Sequence, residues 1–204
     1  MTSALRWGVL AVLWSLFTLW YTNLSGPLSE AEIDAHLARA AEQGRDVAQL
    51  ARLERFMRED DGSHFVMVNI LDLAPEGAEE NLGRYMAHMW PALLARACHP
   101  VFAGAAIAPA MDLAGVSEAA GGAAVWDQGA LMRYRSRRDL LEIALDPAFL
   151  EPHHYKIEAL TKTIAFPVAP SLNPGDPRLL LALVLLVLGL GADRFLPARF
   201  SPRR

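Results

Sequence analysis

Apolar residues crowd the two ends of the chain, and between them they recur at short intervals. No charged residue occurs from Trp7 to Ser29, and none from Leu179 to Ala192. The first apolar run, about Leu5 to Leu24, is long enough at about 1.5 Å per helical residue to cross a hydrocarbon core of ~30 Å. Trp7 lies near one end of it and Trp20 and Tyr21 near the other, as amphipathic rings do at a membrane interface. A cleaved signal peptide is the main alternative. Such a signal ends in small residues, whereas this run ends in Leu19, Trp20 and Tyr21, so an uncleaved anchor is expected. The second run spans only ~21 Å by helical rise. Pro177 suits its first turn, and Asp193 and Arg194 can snorkel toward headgroups while Phe195 and Leu196 extend it, so it reads as a second span. Its Gly189 and Gly191 suit helix–helix contact.

The middle of the chain switches period several times. Ser29 and Glu32 form a capping box opening a helix over Ser29–Gln43, and a second amphipathic helix follows over Arg45–Asp60. These read either as a lever or dimerisation arm, or as a spacer packed on the domain, the second being the simpler. Phe65–Leu71 is a strand with apolar residues on both faces. Glu79–Ala97 is a helix in which Pro91 marks a kink or division, and Val101–Ala108 is a second strand. Ala123–Trp126 and Ala130–Arg135 read as a third strand in two pieces. A helix capped by Ser136 follows, then a helical piece over Ala148–Leu160, and Thr161–Pro167 is the last strand.

The order β-α-β-β-α-β is that of an α+β, ferredoxin-like domain, whose two helices cover one face of a four-stranded antiparallel sheet. Because the strands are apolar on both faces, the second face needs a cover, and a second copy of the domain supplies it most economically. The expected organisation is an anchor over 1–26, juxtamembrane helices over 27–62, the ferredoxin-like domain over 63–170, a linker over 171–176, and a C-terminal transmembrane helix with a basic tail over 177–204.

Composition refines this picture in three places. The 204 residues are 53% hydrophobic and 21% charged, and the terminal runs account for much of that apolar excess. A net charge of −4 with no basic stripe argues against nucleic-acid binding. One cysteine, Cys98, excludes an internal disulfide and a cysteine-based zinc site. Arg6 before the first run, with Arg194, Arg199, Arg203 and Arg204 after the second, places both termini in the cytoplasm and the middle outside it. The Ala-, Leu- and Arg-rich usage suggests a bacterial plasma membrane with the central domain in the periplasm.

The stretch from Trp126 to Leu141 (WDQGALMRYRSRRDLL), followed by Asp146-Pro147-Ala148-Phe149, resembles the dimeric α/β-barrel superfamily, and within it the uncharacterised family DUF1330. The resemblance covers about Phe65–Pro170. It implies a dimer whose sheets pack into a barrel, with a pocket between sheet and helices. It also implies that Tyr134-Arg135-Ser136 lies where the third strand enters the second helix. Tyr85 and His88 fit its first helix. The wider superfamily includes cofactor-independent monooxygenases and haem enzymes.

Candidate chemistry follows from residue type. Tyr85 and His88 share a helix face as a potential acid/base pair, set against ordinary half-buried packing. Trp126, Asp127, Tyr134 and Arg135 occupy one strand region, where a charge facing a barrel interior must pair or hold a polar ligand group. His154 and Glu158 have the i,i+4 spacing of two metal ligands, but no third is fixed, so no metal is expected. The candidate pocket lining is therefore Tyr85, His88, Trp126, Asp127, Tyr134, Arg135 and His154. No catalytic residue or cofactor is assigned, and no phosphate-binding loop or catalytic-triad motif occurs. The expected partners are the lipid bilayer, a second copy of the chain, and a small apolar ligand or a membrane protein. The readings are a tethered binding protein, an interaction module of a membrane complex, or a cofactor-independent oxygenase or isomerase.

Overall fold

Four strands hydrogen-bond into one antiparallel sheet in the order β2-β3-β1-β4: β1 is Phe65–Leu73, β2 His99–Ala105, β3 Gln128–Tyr134 and β4 Leu160–Val168. This computed structural model describes residues 2–115 and 125–195. Residues 123–124 of the expected strand piece, residues 116–122 of the Gly- and Ala-rich loop expected over Met111–Gly122, and Arg199, Arg203 and Arg204 lie outside the described residues. With helices between β1 and β2 and between β3 and β4, the strand order is the ferredoxin-like one.

The crossing helix after β1 is Ala78–Ala95 (here α4), and it runs through Pro91 without interruption. After β3 come α5 (Arg137–Ala144), α6 (Pro147–Leu150) and α7 (His153–Glu158). The single helical piece expected from Ala148 is thus divided, with Pro152 as the N-cap of α7. Ser136 caps α5 as expected: its hydroxyl accepts from the Asp139 amide at 3.0 Å and donates to the Asp139 carboxylate at 2.5 Å.

Strand alternation sends Phe65, Met67, Asn69 and Leu71 to the helix-covered side of the sheet. The other side carries Val66, Val68 and Ile70. The register aligns Phe102, Leu131, Val68 and Phe166 as one row across all four strands, with Ile70 beside Ile164 in the next. Among the described residues this side is left open, with Phe102, Ile164 and Phe166 56%, 51% and 45% exposed, while Val66 at its end is buried.

The two helices expected between membrane and domain are α2 (Glu30–Glu42) and α3 (Val47–Arg58), each opened by a capping box, at Ser29 and at Asp46. They pack on the domain. Ile33, Ala40 and Met57 share one buried cluster with Leu141 and Leu145 of α5 and its C-cap. Polar ties reinforce it. Gln43 donates to the Leu145 carbonyl at 2.9 Å, Arg137 donates to the Phe56 carbonyl, and Arg138 binds Glu32 at 2.7 Å. The Arg138 guanidinium, helped by the Ser29 amide and hydroxyl, holds the Glu32 carboxyl down to about 2. Gly62 meets the Gly26-Pro27 backbone so closely, with φ +79°, that a side chain there would clash. Residues 25–169 thus form one compact unit.

A second unit joins the chain ends. There α1 (Ser3–Tyr21) and α8 (Pro177–Phe195) run antiparallel. The Asp193 carboxylate accepts from Ser3 at 2.9 Å, from the Trp7 indole at 2.8 Å, and from Arg6. At the other end Trp14 donates to the Arg178 carbonyl at 2.9 Å and Arg178 donates to Thr22 at 3.1 Å. Gly189 leaves room for the Trp7 ring, which would otherwise lie 2.6 Å from a Cβ. Among the described residues, α1 is the one helix long and apolar enough to cross a membrane by length and composition. The second expected span does not meet the same measure, because α8 carries Arg178, Asp193 and Arg194.

Candidate functional site

The space between the sheet and its helices is a two-chambered cavity. In α4, Tyr85, Met86, Met89 and Leu93 recur at helical spacing and point to the sheet. Opposite them stand Asn69 and Leu71 of β1 and Met132 and Tyr134 of β3. The short α7 closes one end, with His153 and Lys156 three residues apart on its inner side. The inner chamber, about 120 Å³, is walled mainly by Leu and Met. The second, about 200 Å³, reaches toward α5 and α6. Asn69, Tyr85, Met89, Tyr134 and Lys156 line both, so the chambers adjoin each other.

The polar groups of this cavity are few. The Lys156 amine lies 6.0 Å from the centre of the Tyr85 ring, and the His153 ring meets that ring edge-on at 6.3 Å. Neither phenol nor the amine makes a hydrogen bond among the described residues. The Asn69 amide donates to the Met67 carbonyl at 3.1 Å, which fixes its orientation. Burial raises the Tyr85 and Tyr134 phenols above the usual tyrosine range and lowers the Lys156 amine. Burial also lowers His153, assisted by the positive charges of Lys156 and Arg45. Two phenols that stay protonated are hydrogen-bond donors rather than bases at neutral pH. The arrangement suits holding an oxygen-bearing, partly apolar molecule.

The structure separates the residues that the sequence brought together. Tyr85 and Tyr134 lie in the cavity wall. His88 is exposed, its Nε2 3.1 Å from the Ala148 carbonyl and its ring against Phe149, so it ties α4 to α6 and forms no pair with Tyr85 over the cavity. Asp127 accepts from the Leu73 amide at 2.7 Å and closes the end of the sheet. Trp126 stacks under the Lys162 amine at 4.5 Å. Arg135 binds the Asp139 carboxylate at 2.6 and 3.0 Å, as part of the α5 cap. His154 is exposed, with Nδ1 on the Glu151 carbonyl and its ring 3.9 Å from that of Tyr155. No third His, Cys, Asp or Glu joins it and Glu158 among the described residues.

No family model and no curated protein matches the chain. Solved structures do. One is a protein of unknown function from Rhodopseudomonas palustris, 18% identical, covering 61% of this chain and 94% of that one with a TM-score of 0.47. Another is a dimeric ferredoxin-like protein of unknown function from Jannaschia sp. CCS1, 14% identical, covering 53% and 100%, with a TM-score of 0.36. A third is a NIPSNAP-like domain protein from Burkholderia xenovorans, 18% identical, covering 56% and 91%, with a TM-score of 0.35. The fold assignment rests on the strand order above, and DUF1330 stays a resemblance.

Lys156, Asn69 and His153 are the cavity residues that sequence reasoning missed. A lysine in a short polar helix ordinarily reads as solvated. The available signal was helical phase: at about 100° per residue, His153 and Lys156 share a face that His154 does not.

Proposed function

We propose that this chain is a membrane-anchored dimer whose central domain binds a small, partly apolar molecule. The observation that carries the reading is the cavity between sheet and helices, apolar in much of its wall, with two phenols and one amine that make no hydrogen bond among the described residues. A bound molecule would give these donors partners. A second copy, sheet against sheet, would cover the apolar row from Phe102 to Phe166. In the bilayer, α1 and α8 would form a hairpin, with Asp193 neutralised by Arg6 at one boundary and Arg178 placed at the other. The arginine bias then favours cytoplasmic termini and a periplasmic domain.

A second reading, an interaction module of a membrane complex, is supported by the lipid-facing side of this helix pair, where Leu183, Val187 and Leu190 are exposed. The enzymatic alternative has less support, because His88, expected to pair with Tyr85, stands outside the cavity.

The test is extraction of the full chain, purified in lipid nanodiscs, followed by mass spectrometry of its small-molecule content. An Ala130→Phe variant, with a ring placed in the cavity wall, serves as the comparison. A molecule enriched in the wild-type protein is the expected result. Equal recovery from both proteins would sink the proposal.

A further inference from the structure

The second chamber is unusual in its charge. Its walls carry Arg45 and Lys156, together with His153, and no Asp or Glu. The chain as a whole is acidic at −4, so this local excess is set by the fold rather than by composition. Arg45 sits at the turn between α2 and α3. Its Nε–H is buried and has no hydrogen-bond partner, and its guanidinium forms no ion pair among the described residues. The adjacent carboxylate, Asp46, is turned away to cap α3 through the Gln49 amide at 2.7 Å. Lys156 likewise has no acidic partner. Two half-buried cations line one chamber with no carboxylate among its walls, and an entering anion would supply the counter-charge.

The neighbouring spaces say what the rest of that anion must look like. On one side the inner chamber offers Leu71, Leu82, Met86, Leu93 and Met132, an apolar sleeve with no charge besides Lys156 at its mouth. On the other side an open groove of about 600 Å³ between α3, α5 and β4 shares Arg45, Met67, Leu140 and Ala165 with the second chamber. Arg52 and Gln49 line this groove, and Arg55 there is paired with Glu59 at 2.9 Å. The groove, the second chamber and the apolar chamber thus adjoin one another through shared lining residues, with the cations at the middle one.

We propose that the ligand of this cavity is an amphipathic carboxylate, its anionic head held between Lys156 and Arg45 and its short apolar tail in the inner chamber. The inference rests on the cavity-binding reading above and adds the ligand's charge and orientation. The two phenols complete the head site as donors, and Asn69 lies at the junction of head and tail.

The experiment is equilibrium dialysis of radiolabelled octanoate and of octan-1-ol against the full chain in phosphatidylcholine nanodiscs, with empty nanodiscs subtracted for partitioning. The two probes share a tail and differ in charge. Octanoate is expected to bind at least ~10-fold more tightly than octanol. Lys156→Met and Arg45→Met are each expected to weaken octanoate ~10- to 100-fold, the range of a lost charge-assisted hydrogen bond, and to leave octanol unchanged. Arg45 lies in a turn outside the sheet, so its variant keeps the test valid should Lys156→Met fail to fold. Equal affinity for both probes, or octanoate binding indifferent to both substitutions, overturns the charge inference and leaves the cavity reading standing. Binding of neither probe overturns both.

Discussion

The uncovered face of the sheet makes a quantitative demand on the dimer. Phe166 ends the row Phe102–Leu131–Val68–Phe166 and is 45% exposed in a single copy. A phenylalanine presents ~200 Å², so roughly 90 Å² of this ring awaits cover. At about 25 cal/mol per Å² that is ~2 kcal/mol per copy, and twofold symmetry counts it twice. Phe166→Asp should therefore cost at least ~4 kcal/mol of association, or ~10³-fold in the dimer dissociation constant, before any penalty for burying the new charge. The folding of each copy should change much less, because half the ring is already in water. Förster transfer between amino-terminally labelled copies in liposomes, titrated by lipid dilution, measures this directly. Wild-type transfer should persist to a surface density ~10³-fold lower than that of the variant. Val47→Asp, at a position 85% exposed on α3 away from the sheet, should leave the curve unmoved. Superimposable curves for wild type and Phe166→Asp would refute sheet-to-sheet dimerisation, as would a wild-type chain showing no transfer at any density.

Three further outcomes follow from single residues. Burial lowers the Lys156 amine below its ordinary value of 10.5, so the unfolded chain binds the extra proton between the two values and stability rises with pH across that window. Lys156→Met should accordingly stabilise the unliganded protein at pH 7 by denaturant titration, and the gain should shrink as the pH approaches 10; a gain independent of pH would contradict the burial argument. Burial pushes the Cys98 thiol up to about 11, so iodoacetamide at pH 8 should leave it unmodified until denaturant is added, and equal labelling rates in native and unfolded protein would count against the assigned core. Glu32, held down to about 2 chiefly by Arg138, contributes stability that is present above its ordinary 4.5 and lost as the pH falls toward 2. Because Glu32 is partly exposed, Arg138→Met should cost only about 1 kcal/mol and should release α2 first, which hydrogen exchange of α2 against α4 can resolve.

The elements of the fold were legible because their signals are local. Caps at Ser29 and Ser136 need only residues three apart: the full capping box forms at Ser29, and at Ser136 the side-chain cap alone forms, with the Asp139 carboxylate accepting from the Ser136 hydroxyl instead of its amide. The double-faced apolar run of β1 announced a sheet strand with apolar residues on both faces, one covered by α4 and the other carrying the exposed row from Phe102 to Phe166. The boundaries shifted where a ladder decides them: β1 extends to Leu73 because Asp72 and Leu73 find partners in Lys162 and Leu160, which no local pattern contains. The packing of α2 and α3 on α5 was likewise open in the sequence. It depends on Arg138 meeting Glu32, more than a hundred positions away.

The candidate site was harder to read, and the reason lies in how charge was judged. Along the chain, Lys156 and Arg45 are ordinary members of polar segments, and a net charge of −4 gives neither any meaning. In space they share a chamber with no carboxylate in its walls. His154 drew attention for its spacing to Glu158, yet it does not line the chamber, whereas Lys156 does and the exposed His153 edges it. Arg135 drew attention as a strand charge, yet the Asp139 carboxylate satisfies it within one turn. A charge with a neighbour at capping or i,i+4 distance is spent locally. A charge without one, on the inward phase of a helix or in a turn folded under it, remains for a ligand. Sorting the charged residues by that criterion leaves Lys156 and Arg45 as the cations lining the second chamber, and the anion proposed above would be their counter-charge.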